Sequence, residues 1–148
     1  GGALRPLDDT VLAASELLQA IDLFARDRDP TDADERYLLA LLRGADEGER
    51  PSPETVSASW NEARGLGYAN AIEEYRQDLH EWLDGHPDEA ARQTLGTIHE
   101  RIKRVQALQG DVSPAEAESL VEATREVGTY LSEANHDALA SARERLRE

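Results

Sequence analysis

Apolar residues recur along this chain at alternating spacings of three and four, the pattern of helices with one side turned to a core. No stretch alternates with the period of two that a half-buried strand requires, so the chain predicts an all-α fold. The longest run opens at Ser113, which can cap, with Pro114 at the first helical position and Glu116 where a capping-box carboxylate reaches back. Beyond it Leu120, Thr124, Val127, Leu131, Ala134, Ala138, Ala142 and Leu146 follow one line, which predicts one amphipathic helix from Ser113 to Glu148. Gly128 and Asn135-His136-Asp137 are the places where it would bend or restart.

Taken in order, Asp8, Asp9 or Thr10 caps a first helix whose apolar line is Val11, Ala14, Leu18, Ile21 and Ala25, widened by Leu17 and Phe24. Asp29-Pro30 ends it, and Thr31 caps a second helix whose Tyr37, Leu38, Leu39, Leu41 and Leu42 form the densest apolar cluster. Gly44 reads as its stop, and residues 44–53 (GADEGERPSP) as a flexible loop. Ser52-Pro53-Glu54 predicts the next helix start, with Val56, Trp60 and Ala63 facing inward. Gly65-Leu66-Gly67 reads as a kink, since Tyr68, Ile72, Tyr75, Leu79 and Trp82 resume the spacing. Ala63, Gly67 and Ala71 then form a small-residue strip open to close backbone approach. Gly85-His86-Pro87 is a stop, and residues 87–109 carry a coiled-coil-like heptad of Ala91, Leu95, Ile98, Ile102 and Val105, with Leu108 beyond. The architecture that follows is a mostly antiparallel bundle of five or six helices, with the last two forming a long C-terminal helical hairpin.

Composition narrows the function classes. The 148 residues make one domain by length, and 31 acids against 16 bases give a formal charge of −15. Such a surface repels phosphates and anionic membranes, which argues against general nucleic-acid binding or a membrane role. Salt adaptation and plain acidic solubility both account for this balance, and an acidic inhibitor of a basic nucleic-acid enzyme is a further reading. Without cysteine there is no disulfide framework, thiolate metal site or thiol nucleophile. With no membrane-length apolar run or signal-peptide segment, the expected location is cytoplasmic. Gly1 and Gly2 read as additions to the natural chain, and the lack of methionine suggests a single helical domain cut from a larger protein.

The one concentration of basic residues lies on the helix at 87–109, where Arg92, Gly96, His99 and Lys103 share a line, with Arg101 and Arg104 near. Nearby cations would keep His99 neutral and able to act as a base. Carboxylates on neighbouring helices are the plainer destination for these side chains. The six residues between Arg92 and His99, with Gln93 following the arginine, give a spacing that resembles that of HEPN-type helical ribonucleases. That resemblance implies both residues on one helix at a dimer interface, acting on RNA. His99-Glu100 is similar to the His-acid pair of histidine phosphotransfer proteins, a dipeptide type repeated at His80-Glu81 and His136-Asp137. Those families carry a basic residue three positions on and then a glycine, where this chain has Ile102 and Lys103.

Glu133 and His136 have the spacing of a carboxylate-bridged metal bundle in a single copy, and Glu73-Glu74 with Asp78 and Glu81 reads as a solvated acidic face. No metal or cofactor is expected. Trp60, Trp82, Tyr68 and Tyr75 read as core or interface anchors. The expected function is therefore a non-enzymatic protein-interaction or oligomerisation domain working through apolar helical faces, as a homodimer in its simplest form. A catalytic helical domain using His99, with Arg92 and Lys103, is the alternative.

Overall fold

A computed structural model describes residues 4–26 and 31–147. Among these are six α-helices, two single 3-10 turns and no strand: α1 (Asp9–Arg26), α2 (Asp32–Glu47), turns at Pro53–Thr55 and Ala58–Trp60, α3 (Asn61–Gly85), α4 (Glu89–Ala107), α5 (Pro114–Glu133) and α6 (His136–Arg147). No helix among the described residues is long and apolar enough to cross a membrane. Gly1 and Gly2, and the predicted stop at Asp29-Pro30, lie outside the described residues.

The helix starts follow local chemistry. Thr31 and Asp34 form a reciprocal capping box at α2, with Thr31 Oγ1 accepting from Asp34 N at 3.1 Å and Asp34 Oδ2 from Thr31 N at 3.0 Å. Asp8 accepts from Val11 N, Asp88 from Ala91 N and Ser113 from Glu116 N. Glu116 does not complete a capping box at Ser113, because its carboxylate goes to Arg104 instead, at 2.8 Å.

Four predicted boundaries are corrected. Helix α2 runs through Gly44 to Glu47, and Gly48 stops it in the left-handed conformation (φ 75°) that glycine adopts freely. Ser52-Pro53 starts only a 3-10 turn; α3 begins at Asn61, because Trp60 is held against α2 by stacking on Tyr37 and by a 3.1 Å bond to Asp34. Helix α3 then continues unbroken through Gly65 and Gly67. The stretch predicted as one helix from Ser113 breaks at Ala134, which is left-handed (φ 54°), and Asn135 caps α6 by accepting from Ala138 N. Helices α5 and α6 therefore fold against each other as the C-terminal hairpin.

The main core lies among α3, α4, α5 and α6. The α4 heptad is buried throughout, and Ile72, Leu79 and Leu83 of α3, Leu120, Val121 and Val127 of α5 and Leu139, Ala142 and Leu146 of α6 close around it. A smaller cluster of Ala20, Leu41, Trp60 and Ala63 joins α1 and α2 to the start of α3. Gly96 is a different case: on the outer side of α4, an added Cβ would meet nothing within 4 Å. Gly96→Ala is expected to stabilise the fold by about 0.5–1 kcal/mol through helix propensity alone. A higher urea midpoint is the readout, and a lower one would mean that this face is not open.

Candidate functional site

Helix α1 is apolar on two sides, and the structure buries the one that sequence reasoning did not choose. Leu12, Ala13, Glu16 and Ala20 face inward, with Leu17, Leu23 and Phe24 half-buried. The predicted core line points to solvent: Val11 is 41% exposed, Leu18 70% and Ile21 48%. The reason lies in α3. At Gly67 the backbone of Ser15 and Glu16 comes so close that an added Cβ would stand 2.7 Å from it. This approach fixes which side of α1 faces in and puts Ala63, Gly67 and Ala71 under it.

Helix α2 packs on α1 and adds Leu39 (58%) and Leu42 (47%) to the exposed apolar residues. Of the six large apolar side chains exposed among the described residues, five therefore lie on the α1–α2 hairpin; Leu108, at the end of α4, is the sixth. Single exposed leucines are ordinary, whereas a line is informative. From Val11 to Ala25 this line extends about 21 Å along α1 at a rise of ~1.5 Å per residue.

A buried polar node ties this hairpin to the bundle. Glu16 and Arg64 are both essentially inaccessible and pair at 3.0 Å. Tyr37 of α2 donates to the second Glu16 oxygen at 2.5 Å, and Arg64 Nη2 donates to the Pro51 carbonyl at 2.8 Å. Arg64 Nη1 is buried with no hydrogen-bond partner among the described residues. Burial pushes the Glu16 carboxyl above its ordinary value, against the pull of Arg64 and Tyr37.

The Tyr68 ring lies under both Arg64 and Arg50, their guanidinium carbons 5.0 and 5.6 Å from its centre. Arg50 then reaches Asp9 at 3.0 Å and Glu118 at 2.7 Å, and Arg125 reaches the same Asp9 oxygen at 2.7 Å. The breaker-rich segment read as a loop thus contributes Arg50 and Pro51 to a network joining α1, α2, α3 and α5. Since Glu16 and Arg64 are sealed from solvent, the node positions elements rather than acting on a substrate.

Glu16 and Arg64 escaped the sequence reading because neither is an apolar residue. The available signal was a charge on an apolar line: Glu16 sits four from both Leu12 and Ala20, and Arg64 sits between Ala63 and Gly65.

The basic stripe of α4 is divided between two seams. His99 Nδ1 lies 3.3 Å from Glu73 Oε2 of α3, and Arg92 approaches Asp84 at 4.0 Å. Glu73 is also held by two bonds from Arg76, whose hydrogen bonding, with that of His99, keeps its carboxyl below the usual range despite partial burial. Lys103 is exposed. Arg101 and Arg104 turn away from this seam, to the Leu146 carbonyl of α6 and to Glu116 of α5.

Of the other histidines, His80 is exposed, and His136 opens α6 edge-on to Tyr130. Glu133 and His136 stand on different helices, so their helical spacing does not hold. Among the described residues no group of three or more His, Asp or Glu could hold a metal ion. Trp60 serves as a core anchor, and Trp82 stacks on His86 with ring centres 3.8 Å apart.

These features define a class: an acidic all-helical bundle whose N-terminal hairpin is pinned by a buried ion pair and bare on its outer side. Within that class, the chain belongs to the family of unknown function DUF7117, which matches residues 1–146. No curated protein and no solved structure matches it.

Proposed function

We propose that this protein is an interaction domain that self-associates through the outer face of the α1–α2 hairpin. The observation that carries this reading is the exposed apolar line of Val11, Leu18 and Ile21 on α1, with Ala14 half-buried within it and Ala25 exposed at its end, together with exposed Leu39 and Leu42 on α2. The last helices, α5 and α6, are less suitable for such a contact, since Leu120, Thr124, Val127, Ala142 and Leu146 are covered within the chain.

Charge placement favours a second copy as the occupant. On α2, Arg36 and Arg43 flank Leu39 at helical spacing and have no ion-pair partner among the described residues. Asp8, which caps α1 at Val11, and Asp22, which also pairs with Arg26 at 3.0 Å, lie beside Val11 and Leu18. In a two-fold interface each copy offers both sets, so the carboxylates of one meet the arginines of the other. The charge of −15 on each copy opposes this at low salt and is screened in concentrated salt.

The test is Leu18→Glu, which places a charge at the centre of the line. The expected result is a dimer dissociation constant raised at least about tenfold, as for loss of a central anchor, with the helical circular dichroism unchanged. Leu108→Glu, on the exposed leucine outside the hairpin, should leave association intact. Equal weakening by both variants, or by neither, would refute this surface.

The catalytic reading gains no specific support. His99 and Arg92 face carboxylates of α3, which is the destination that the excess of acids predicts.

A further inference from the structure

We propose that the cleft between the α3–α4 and α5–α6 connections binds an organic ammonium ion, a protonated amine carried on a short apolar body. The cleft holds about 370 Å³, at the small end of the roughly 300–1,000 Å³ of small-molecule sites. The α1–α2 hairpin contributes none of its lining, so this site stands apart from the proposed self-association face. Two breaks in the chain build it. The turn from α3 into α4 brings in Trp82, His86 and Asp88, and the left-handed Ala134 folds α6 back on α5 and brings in Tyr130, Leu131 and His136.

What these residues offer selects a cation. Trp82 and His86 are stacked with their ring planes 7° apart, which makes one flat wall. Tyr130, with His136 edge-on at 5.5 Å, gives a second aromatic surface, and Leu131 an apolar one. Aromatic faces attract cations, indole most strongly. His86 Nδ1 lies 3.1 Å from the Trp82 carbonyl. A carbonyl only accepts, so Nδ1 donates and Nε2 of the neutral ring is left as an acceptor. Asp88 supplies the countercharge: Oδ2 accepts from Tyr130 and Oδ1 from Ala91 N, and these bonds, Tyr130 foremost, hold its carboxyl below the usual range. Having given its proton to Asp88, the Tyr130 hydroxyl can only accept from a ligand. Among the described residues no arginine or lysine lines the cleft. Arg143, whose charge is felt at Tyr130, is turned instead to Thr94 and the Ala90 carbonyl. An anion would therefore meet a carboxylate and π faces, and a neutral apolar molecule would leave that carboxylate unmatched. The formal charge of −15 adds a field that draws cations to the chain.

The probe is 2-phenylethylammonium, titrated calorimetrically into the full chain at fixed ionic strength and about pH 8, above the range in which free imidazole takes up a proton. Ethylammonium and 2-phenylethanol supply the charge and the body alone. Saturable 1:1 binding of 2-phenylethylammonium is expected, at least about tenfold tighter than either half-ligand. Asp88→Asn removes the countercharge while asparagine still caps α4, and should weaken binding at least about fivefold, as for loss of one charge-assisted hydrogen bond. Trp82→Leu keeps an apolar side chain against the core but removes the π face, and should also weaken binding at least about fivefold, with Trp82→Phe losing less. Asp111→Asn, at an exposed carboxylate beyond the far end of α4, removes the same charge from the chain and should leave binding unchanged. The proposal is overturned by the absence of saturable binding, by either half-ligand binding as tightly as 2-phenylethylammonium, or by equal losses in Asp111→Asn and Asp88→Asn.

Discussion

Arg64→Ala is expected to cost about 3–5 kcal/mol of folding stability at pH 7. Removing the guanidinium leaves Glu16, itself inaccessible to water, with the Tyr37 hydroxyl and the charge of Arg50 to offset a buried carboxylate. The paired replacement Glu16→Leu with Arg64→Met should recover most of that loss, since both charges leave and apolar groups of similar volume take their places. The dependence on pH has a fixed sign. Burial already raises the Glu16 carboxyl above its ordinary 4.5, and in Arg64→Ala the opposing cation is gone. A carboxyl whose folded value exceeds its unfolded value takes up its proton preferentially in the folded state. The deficit is therefore largest above the folded value and shrinks as pH falls towards 4.5. Urea unfolding followed by circular dichroism reads all of this. A single variant within about 1 kcal/mol of the parent at pH 7 would show that the pair does not pin the hairpin.

Gly67→Ala is the second large effect, and its sign opposes helix propensity. Alanine within a helix gains about 1 kcal/mol over glycine, as Gly96 illustrates. At Gly67 the new Cβ would stand 2.7 Å from Cα and N of Glu16 and from the Ser15 carbonyl oxygen, all backbone atoms that cannot rotate aside. Helix α1 must then retreat from α3, which loosens Leu12 and strains the Glu16–Arg64 pair. A net loss of about 2–3 kcal/mol is expected, which for a chain of this size lowers Tm by roughly 6–10 °C. A Tm at or above that of the parent would mean that α1 does not approach so closely, and the argument for its exposed face would fail with it.

What could be read from the chain divides along physical lines. Thr31, Ser113 and Asn135 act through hydrogen bonds within four residues of themselves, so the start they offer is legible locally. The α4 heptad was legible because it has one apolar side. Helix α1 has two, and spacing alone cannot tell Val11-Leu18-Ile21 from Leu12-Ala20-Leu23. A glycine forty-seven positions beyond Ala20 decides between them. Trp60 likewise overrides the start signal at Ser52-Pro53 through contacts with α2. The basic stripe was visible as a cluster but not as two seams, since the partners that separate it, Glu73 and Glu116, lie on different helices.

The central claim is that the outer face of the α1–α2 hairpin meets a second copy, and the molar mass of the unmodified chain in solution tests it most directly. Light scattering over a range of protein concentrations, in a potassium chloride series, should show the mass climbing from 16.3 kDa towards twice that value. The rise should begin at lower protein concentration as salt screens the acidic surfaces. A folded protein that stays at 16.3 kDa at every concentration and every salt would contradict the account.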